Sequence, residues 1–537
     1  MNAISIILIT LTALLLGYRF YARKIERLWQ TDPTRQPPSV TRYDGIDYIP
    51  AQNWLVLFGH HFASIAGAGP IIGPAIAVCY WGWAPALLWV ILGSIFIGGI
   101  HDFGALMISV RENGSSIGDI AERSISRNAK IIFSLFIWLA LILVVAVFAY
   151  FGAETFVKQP AVVLPSLGLI PLAVVVGLAL YRFKWNPLVV TIAGLSLLGI
   201  LLIAGWHYPI ELPGNSLLIW ILVLLMYSFF ASIIPVNILL QPRDYLSSFL
   251  LMGGIFLALL GILVSHPQVN TPAFMPQKTA TGYLWPMMFI TIACGATSGF
   301  HSLIASGTTS KQLPNEKYAK LIGFGGMLLE GFLAAIVIVL IISGFTLGEF
   351  NSHIANKTSP VNMYGLSFGN VTRPFLGKWG TFIAITILNA FILTTLDSAT
   401  RIARYITEEF LRIKNRYLST LLVVSLGAWL AISKDSMNKP LWEKIWPAFG
   451  ASNQLVAALA LLVISCWLLS KKKATYYSLI PACFMLVTSL TALFFQIKEY
   501  LQNNDFVLII VSLVLVGSAL FLIREIMITF RKGLRHD

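Results

Sequence analysis

HHFASIAGAGPIIGP, residues 60–74, interrupts an apolar run that is long enough to cross a lipid bilayer. Two histidines, three glycines and two prolines suit a transmembrane helix poorly, because proline lacks an amide donor and glycine permits unwound backbone. In lipid every backbone N–H and C=O must be bonded within the protein, so a break is tolerated only where it is buried or lines a cavity. The stretch predicts a broken membrane helix or, alternatively, close helix packing by small residues.

The composition of the whole chain indicates a membrane protein. Of 537 residues, 57% are hydrophobic and 11% are charged, whereas a soluble protein carries roughly 25% charged residues. We predict an all-α polytopic membrane protein with about fifteen transmembrane helices, the first of them a retained span rather than a cleaved signal peptide. The predicted spans are residues 3–20, 52–80, 84–108, 130–151, 164–181, 187–206, 216–235, 245–265, 284–306, 320–346, 379–400, 417–433, 446–469, 475–495 and 506–523.

The basic charge predicts the orientation of the chain in the membrane. The net charge is +14, and most lysines and arginines fall in alternate connections between the predicted spans. Such residues are retained in the cytoplasm, which places the N-terminus outside and the C-terminus inside and removes nucleic acid as a partner. We divide the chain into a first helix with a cytoplasmic loop (1–50), a transporter core (51–465) and C-terminal helices with a basic tail (466–537).

A second stretch, CGATSGFHSLIASGTTS at residues 294–310, also interrupts an apolar span. Each stretch has a histidine followed six residues later by a glycine, His61 to Gly67 and His301 to Gly307. An odd number of predicted spans separates them, so the two segments would cross the membrane in opposite directions. Paired interrupted segments in inverted halves indicate the substrate site of a secondary transporter.

Residues at these two breaks are the candidates for substrate binding. Half-helix N-termini offer free N–H groups and a positive dipole to a carboxylate, and protonatable histidines add complementary charge. The candidates are His60, His61, Ser64, Gly67, Ala68, Gly69, Thr297, Ser298, His301, Ser302, Ser306 and Gly307.

A second set of residues is predicted to act in ion coupling or gating, because ionisable side chains inside a membrane are costly and mark function. The set comprises His101, Asp102, Glu330, Thr394, Thr395, Asp397, Ser398 and Arg401. The adjacent His101 and Asp102 form either a proton site or gate, or a buried satisfied pair. Glu330 is either a proton carrier or a neutral, hydrogen-bonded core residue.

One face of a predicted helix carries four of these residues at positions i, i+3, i+4 and i+7, namely Thr394, Asp397, Ser398 and Arg401. We expect Arg401, at the cytoplasmic end, to pair with Asp397, either as a gate or as a structural ion pair. Thr394 and Thr395 are possible oxygen ligands for Na⁺, although threonine often bonds its own helix backbone.

A metal site is the weaker alternative for the histidines and acids, with His61, His101, Asp102 and His301 as ligands. No HExxH or similar spacing supports it, and no cofactor is predicted. The chain has no GxxxxGK[ST] motif for ATP. We therefore expect ion coupling, by protons in preference to Na⁺, because intramembrane His and acid residues outnumber paired hydroxyls. A passive channel or a nutrient sensor is a further alternative.

Six segments resemble the carbon starvation protein A (CstA) family. They are HHFASIAGAGPIIGPAIA (60–77), GGIHDFGALMISVRENGSSIGD (98–119), QPRDYLSSFLL (241–251), CGATSGFHSLIASGTTSKQ (294–312), LTTLDSATRIARYITEE (393–409) and WPAFGASNQLVAALAL (446–461). The resemblance implies an inverted-repeat core similar to LeuT and the amino acid–polyamine–organocation superfamily. It further implies uptake of peptides or pyruvate across the bacterial inner membrane during nutrient limitation, with the two interrupted stretches as the broken helices of that core.

Overall fold

The computed structural model describes residues 2–45, 47–51, 53–235, 238–276, 278–279, 282–434 and 442–533. Helices make up nearly all of the regular structure in this part of the chain, together with two short antiparallel strands, Lys278–Thr279 and Gly282–Tyr283. The prediction of an all-α architecture is confirmed apart from this small hairpin.

The α-helices fall in two groups along the chain. In the first half they are α1 (Ala3–Leu16), α2 (Arg23–Trp29), α3 (Pro38–Thr41), α4 (Trp54–Ile65), α5 (Gly69–Trp81), α6 (Trp83–Gly93), α7 (Gly99–Arg111), α8 (Ile117–Ser124), α9 (Arg127–Lys158), α10 (Val163–Gly177), α11 (Pro187–His207), α12 (Ser216–Ile233) and α13 (Leu240–Ser265). In the second half they are α14 (Phe289–Thr291), α15 (Ala293–Ala296), α16 (Gly299–Gly307), α17 (Gly326–Ser343), α18 (Leu347–Ala355), α19 (Pro360–Leu376), α20 (Trp379–Phe410), α21 (Arg416–Ile432), α22 (Trp442–Ser470), α23 (Tyr476–Gln502) and α24 (Phe506–Gly533).

Short turns of other helix types extend several of these helices. The π-helical segments are Gly17–Ala22, Ser94–Gly98, Leu178–Arg182, Leu284–Met288 and Lys320–Gly325, and the 3₁₀ segments are Pro160–Val162, Thr309–Lys311 and Glu316–Tyr318. Ser94–Gly98 joins α6 to α7, and Lys320–Gly325 leads into α17, so two of these turns lie directly before buried functional helices. Single π-turns inside helices are frequent at functional sites.

Among the described residues, 12 helical spans are long and apolar enough to cross a membrane, or up to 13 if the bent pair α4–α5 is one span. This shows a multi-pass membrane protein. The predicted set of about fifteen spans contains two that are not among these 13. Residues 417–433 correspond to α21, an apolar helix of 17 residues, and residues 284–306 are divided among α14, α15 and α16.

The first interruption lies between α4 and α5. Ala66 leaves the helical conformation with φ −75° and ψ 56°, and α5 begins at Gly69. The amide of Gly67 donates to the carbonyl of Ile65 at 2.8 Å, and the two helices are bent by 43°. The break therefore falls inside the quoted stretch, as its glycines and prolines predict.

The second interruption lies between α15 and α16. Thr297 (φ −167°, ψ 139°) and Ser298 (φ −139°, ψ 130°) are fully extended, and helix resumes at Gly299. The two interrupted segments pack against each other. A Cβ at Gly69 would lie 2.5 Å from Cys294 Sγ, and one at Gly73 would overlap the carbonyl oxygen of Thr291. Glycine is required at these positions because the backbones approach closely.

The spans around this contact are the most enclosed of the protein. The spans that contain α17, α20 and α22 are 89%, 83% and 94% buried within the chain, whereas those of α1 and α11 are each 28% buried. The peripheral helices are thus the more exposed ones, and three inner helices surround the two breaks. This arrangement places most of the predicted polar residues in the protein interior.

Candidate functional site

Four fully buried side chains form one cluster beside the second break, here called the core cluster: His101, Asp102, His301 and Glu330. Asp102 Oδ1 lies 2.7 Å from His101 Nδ1, and Asp102 Oδ2 lies 2.8 Å from His301 Nδ1. The other ring nitrogen of His301 lies 3.2 Å from Glu330 Oε2. His301 therefore bridges two carboxylates.

Three elements bring the core cluster together. His101 and Asp102 lie in the first turn of α7, His301 in the first turn of α16, and Glu330 one turn into α17. Phe103 packs so closely on the turn before α17 that a Cβ at Gly323 would lie 2.9 Å from the Phe103 Cα. Glycine at this crossing allows α7 to approach the start of α17.

His61, from the first interrupted segment, approaches α17, the helix that carries Glu330. Its Nδ1 lies 2.8 Å from Thr309 Oγ1, and its Nε2 has no hydrogen-bond partner among the described residues. A Cβ at Gly326, one turn before Glu330, would lie 3.2 Å from His61 Cδ2. The first segment thus presents a histidine, with one free nitrogen, to the helix that carries Glu330.

Each of these five buried side chains can bind or release a proton. No lysine or arginine pairs with His61 or with the core cluster in the described part of the chain. Glu330 Oε1 also has no hydrogen-bond partner there. Because a buried carboxylate requires a compensating positive charge, only protons on the histidines or on the acids themselves supply it here.

A second buried cluster, here called the arginine cluster, contains Tyr227, Arg243, Asp244 and Asp397. Arg243 is 1% exposed, and its Nη1 contacts both Asp397 Oδ2 and the Tyr227 hydroxyl. The Tyr227 hydroxyl donates to Asp397 Oδ2 at 2.5 Å, and Arg243 Nη2 donates to Asp244 Oδ1 at 3.2 Å. The cluster joins α12, α13 and α20.

The first break contacts this cluster through two of the predicted substrate residues. His60 Nδ1 lies 3.4 Å from Asp244 Oδ2. Ser64 Oγ lies 3.4 Å from the same carboxylate oxygen and donates to the carbonyl of His60 at 2.8 Å.

The predicted ion pair between Asp397 and Arg401 is wrong. Arg401 Nη2 instead donates to the carbonyls of Ala231 and Ile234, each at 2.5 Å, at the C-terminal end of α12. Free carbonyls at a helix end attract a cation, and Asp397 pairs with Arg243 from α13.

Three members of the arginine cluster were missed by the prediction, namely Tyr227, Arg243 and Asp244. The predicted span started at residue 245, which left Arg243 in a cytoplasmic connection, but α13 begins at Leu240 and buries it. The signal for it was present in QPRDYLSSFLL, where an arginine and an aspartate directly precede an apolar run. Asn453, described below, was also missed, although it lies in another of the resembling segments.

We expect Arg243→Met to reduce the yield of folded protein strongly, because it leaves the buried carboxylates of Asp244 and Asp397 without their cation. Removing one partner of a buried charge pair costs about 3–5 kcal/mol. Asp397→Asn should cost less, since Arg243 keeps Asp244. Monodispersity and thermal unfolding in detergent test this order, with the exposed Arg416→Met as control. Equal stability of Arg243→Met, Asp397→Asn and the control Arg416→Met would contradict this expected order of stability.

A cavity of about 330 Å³ lies beside the first break. It lies between α4, α8, α9, α16 and α20. Six of the predicted residues line it: His60, Ser64, Ser306, Gly307, Ser398 and Arg401. The remaining predicted residues do not line it and lie in the packed interior.

Lys130 forms an ionic network on the wall of this cavity. Its Nζ lies 2.8 Å from Asp119, 3.1 Å from Glu122 and 2.6 Å from Glu409. Burial alone would raise the pKa of Asp119, but hydrogen bonds from Lys130 and Ser116 bring that pKa below its ordinary value. The network ties α8 and α9 to the end of α20.

Asn453 from α22 occupies the N-terminal end of α16, which was predicted to be free for substrate. Its Oδ1 accepts from the amide of Phe300 at 3.0 Å, and its Nδ2 donates to Ser298 Oγ at 3.0 Å. Ser302 Oγ donates to the carbonyl of Gly299 at 2.7 Å. The extended segment between α15 and α16 is therefore held by protein groups in this conformation.

The two adjacent threonines of α20 differ in their surroundings. Thr394 Oγ1 donates to the Ala390 carbonyl of its own helix at 3.0 Å. Thr395 Oγ1 is buried, has no hydrogen-bond partner among the described residues, and faces Gly67, where a Cβ would overlap it. Of these two threonines, Thr395 is therefore the one whose hydroxyl oxygen has no hydrogen-bond partner among the described residues.

The four residues of the alternative metal site do not surround one point. The described residues contain no group of three or more His, Cys, Asp or Glu side chains placed to hold a metal ion. Asp102 uses one oxygen for each of two histidines, and His61 bonds to Thr309.

Comparison with known proteins agrees with a transporter. A family model described as carbon starvation protein CstA matches residues 2–359 and 347–492. A peptide transporter CstA of Escherichia coli K12 is 32% identical over 91% of this chain and 80% of its own length. The pyruvate/proton symporter BtsT of the same organism is 31% identical over 92% and 81%. A peptide transporter CstA of Bacillus subtilis is 29% identical over 94% and 92%.

Proposed function

Because this chain belongs to the carbon starvation protein CstA family, we propose that it is a proton-coupled secondary importer of short peptides or pyruvate, used under carbon starvation. Its membership shows a multi-pass membrane transporter rather than an enzyme. The substrates come from the names of its relatives, and the coupling ion is supported by the buried titratable groups described above.

The observation that carries the proposal is the position of His301 between Asp102 and Glu330. The histidine belongs to the second interrupted segment, whereas the two carboxylates belong to α7 and α17. A proton gained or lost here changes the attraction between a broken helix and two inner helices. Coupling of this kind needs a titratable group on the element that moves.

The membrane arrangement is also part of the proposal. The two interrupted segments, the contact between them and the enclosed helices around them support an inverted-repeat core similar to LeuT, with about fifteen spans. We place the protein in the bacterial inner membrane with the N-terminus outside. The 330 Å³ cavity then opens toward the cytoplasm, which makes this conformation inward-facing.

The cavity suits a small ligand carrying a carboxylate. Its volume of about 330 Å³ is at the lower end of the roughly 300–1,000 Å³ that ligand pockets span. Arg401 and Lys311 on its wall attract a carboxylate, and the acidic residues around Lys130 attract an amine. A peptide can contact both the basic and the acidic residues, because it has a carboxylate and an amine. Pyruvate has only the carboxylate and needs only the basic residues.

The substrate preference is measured by competition. Purified protein in liposomes takes up one labelled substrate while unlabelled pyruvate, dialanine or trialanine is added in excess. We expect the peptides to compete more strongly, because only they can bind both the basic and the acidic residues of the cavity. Stronger competition by pyruvate would assign the protein to monocarboxylate uptake instead.

Na⁺ coupling is the second candidate, favoured by one observation. Thr395 Oγ1 is buried and has no hydrogen-bond partner within the described part of the chain, at the unwound segment after Ile65. Hydroxyl and carbonyl oxygens are suitable ligands for a hard cation. Uptake in separate pH and Na⁺ gradients distinguishes the two ions. Accumulation driven by Na⁺ alone, with no response to pH, would overturn proton coupling.

A further inference from the structure

The arginine cluster carries an imbalance of charge. Arg243 supplies one positive charge, whereas Asp244 and Asp397 supply two negative charges, and these side chains are 1%, 0% and 0% exposed. Tyr227 contributes a neutral phenol. An uncompensated charge in the interior of a membrane protein is costly, so the excess carboxylate requires either a proton of its own or a further cation.

His60 is the group placed to supply that cation. Its Nδ1 lies 3.4 Å from Asp244 Oδ2, on the side of Asp244 opposite its bond to Arg243. Its Nε2 lies 3.5 Å from the Gln312 amide nitrogen, so one ring nitrogen faces Asp244 and the other faces the Gln312 amide.

Protons can reach His60 from within the protein. It lines the 330 Å³ cavity and also a separate cavity of about 60 Å³. Gln241 and Gln312, which are hydrogen-bonded to each other at 2.9 Å, line the smaller one. His60 therefore lies between two cavities, each of which has polar side chains in a mainly apolar wall.

The other charged groups around His60 contact partners other than His60 and Asp244. Arg401 of α20 donates to the end of α12, Lys311 after α16 lies 5.3 Å from the ring centroid of Tyr48, and Lys130 of α9 binds Asp119 and its neighbours. His61, next in sequence, bonds to Thr309. Asp244 is the acidic residue in contact with His60.

We propose that His60, with Asp244, is a second proton-binding site at the cavity wall, separate from the core cluster. The inference rests on the proposed function, since a transporter that moves no protons has no need of it. With the proton bound, the arginine cluster and His60 are neutral together, and an imidazolium faces the cavity to attract a cargo carboxylate. Loss of the proton restores the negative charge and favours release of the cargo.

The test is a charge rescue measured by exchange of labelled substrate across liposomes at equal pH on both sides. Labelled dialanine and labelled pyruvate are the probes. Wild-type exchange should be faster at low pH than at high pH, because the second site holds its proton at low pH. If the wild type exchanges neither probe, the proposed function fails, and this inference fails with it.

His60→Gln should lower exchange at pH 6 by at least about tenfold and remove its pH dependence, because the excess negative charge stays in the membrane. Adding Asp244→Asn removes that excess, so the double variant should recover to within about threefold of wild type while staying independent of pH. The exposed His207→Gln is the matched control and should keep the wild-type profile.

Two results would overturn the inference while leaving the proposed function intact. One is a wild-type rate and pH profile in His60→Gln. The other is a double variant no more active than His60→Gln, with both proteins folded by size exclusion. If His60→Gln does not fold, Asp244→Asn alone decides: a flattened pH profile supports the second site, and an unchanged profile refutes it.

Discussion

Glu330→Gln is expected to lower proton-driven accumulation of substrate by at least about a hundredfold, the scale on which a buried charge-compensating group acts. Glutamine keeps the size of the side chain and a polar contact to His301, which lies 3.2 Å from Glu330 Oε2. It removes the carboxylate that we propose to exchange a proton with the broken helix. Exchange of substrate at equal pH should persist, because exchange requires no net movement of protons.

The measurement is uptake by liposomes with an acidic exterior, compared with exchange in the same preparation. Glu211→Gln, at an exposed carboxylate, is the matched control and should accumulate substrate like the wild type. His301→Gln should lose both activities, since His301 joins Asp102 to Glu330. Normal accumulation by Glu330→Gln would remove the core cluster from coupling.

Gly67→Leu is expected to abolish uptake while the protein still inserts and folds. A Cβ at Gly67 would already overlap Thr395 Oγ1, and a leucine side chain forces the unwound segment away from α20. Insertion depends on the flanking apolar helices, which the substitution leaves intact. Gly253→Leu is the control, because nothing lies within 4 Å of a Cβ at that position.

A pair of smaller substitutions tests the same contact. Gly67→Ala should reduce uptake by about tenfold, the effect of a misplacement near an active site being of order 10- to 100-fold. Thr395→Ala in the Gly67→Ala background should restore part of the loss, since it removes the overlapping hydroxyl. No loss in Gly67→Leu, or equal loss in Gly253→Leu, would show that the first break does not position the site.

The membrane helices and both interruptions were predictable because their signals are local. Apolar runs define spans, and glycine, proline and small polar residues define breaks within them. The breaks fall at residues 66–68 and 297–298, inside the two quoted stretches. His101, Asp102, His301 and Glu330 could also be named as candidates from the sequence, because any ionisable residue in lipid is costly; their role stays a prediction.

The partners of these residues were not predictable from local signals. Asp397 and Arg401 are one turn apart on α20, so a local pattern pairs them. In the structure Asp397 instead contacts Arg243 of α13 and Tyr227 of α12, and Arg401 donates to the end of α12. Arg243 was hidden because one polar pair at the start of an apolar run lowers the hydropathy of that window. Asn453 caps α16 from a position 153 residues away from Phe300, a distance over which sequence spacing carries no information.

The movement of protons with substrate is the most direct test of coupling through the core cluster. Liposomes containing the wild-type protein receive dialanine or pyruvate at equal pH in weak buffer, with no Na⁺ present, while a pH electrode follows the outer solution. We predict an alkaline shift outside as substrate enters, and no shift with Glu330→Gln. Entry of substrate without any change of outer pH in the wild type would contradict proton coupling.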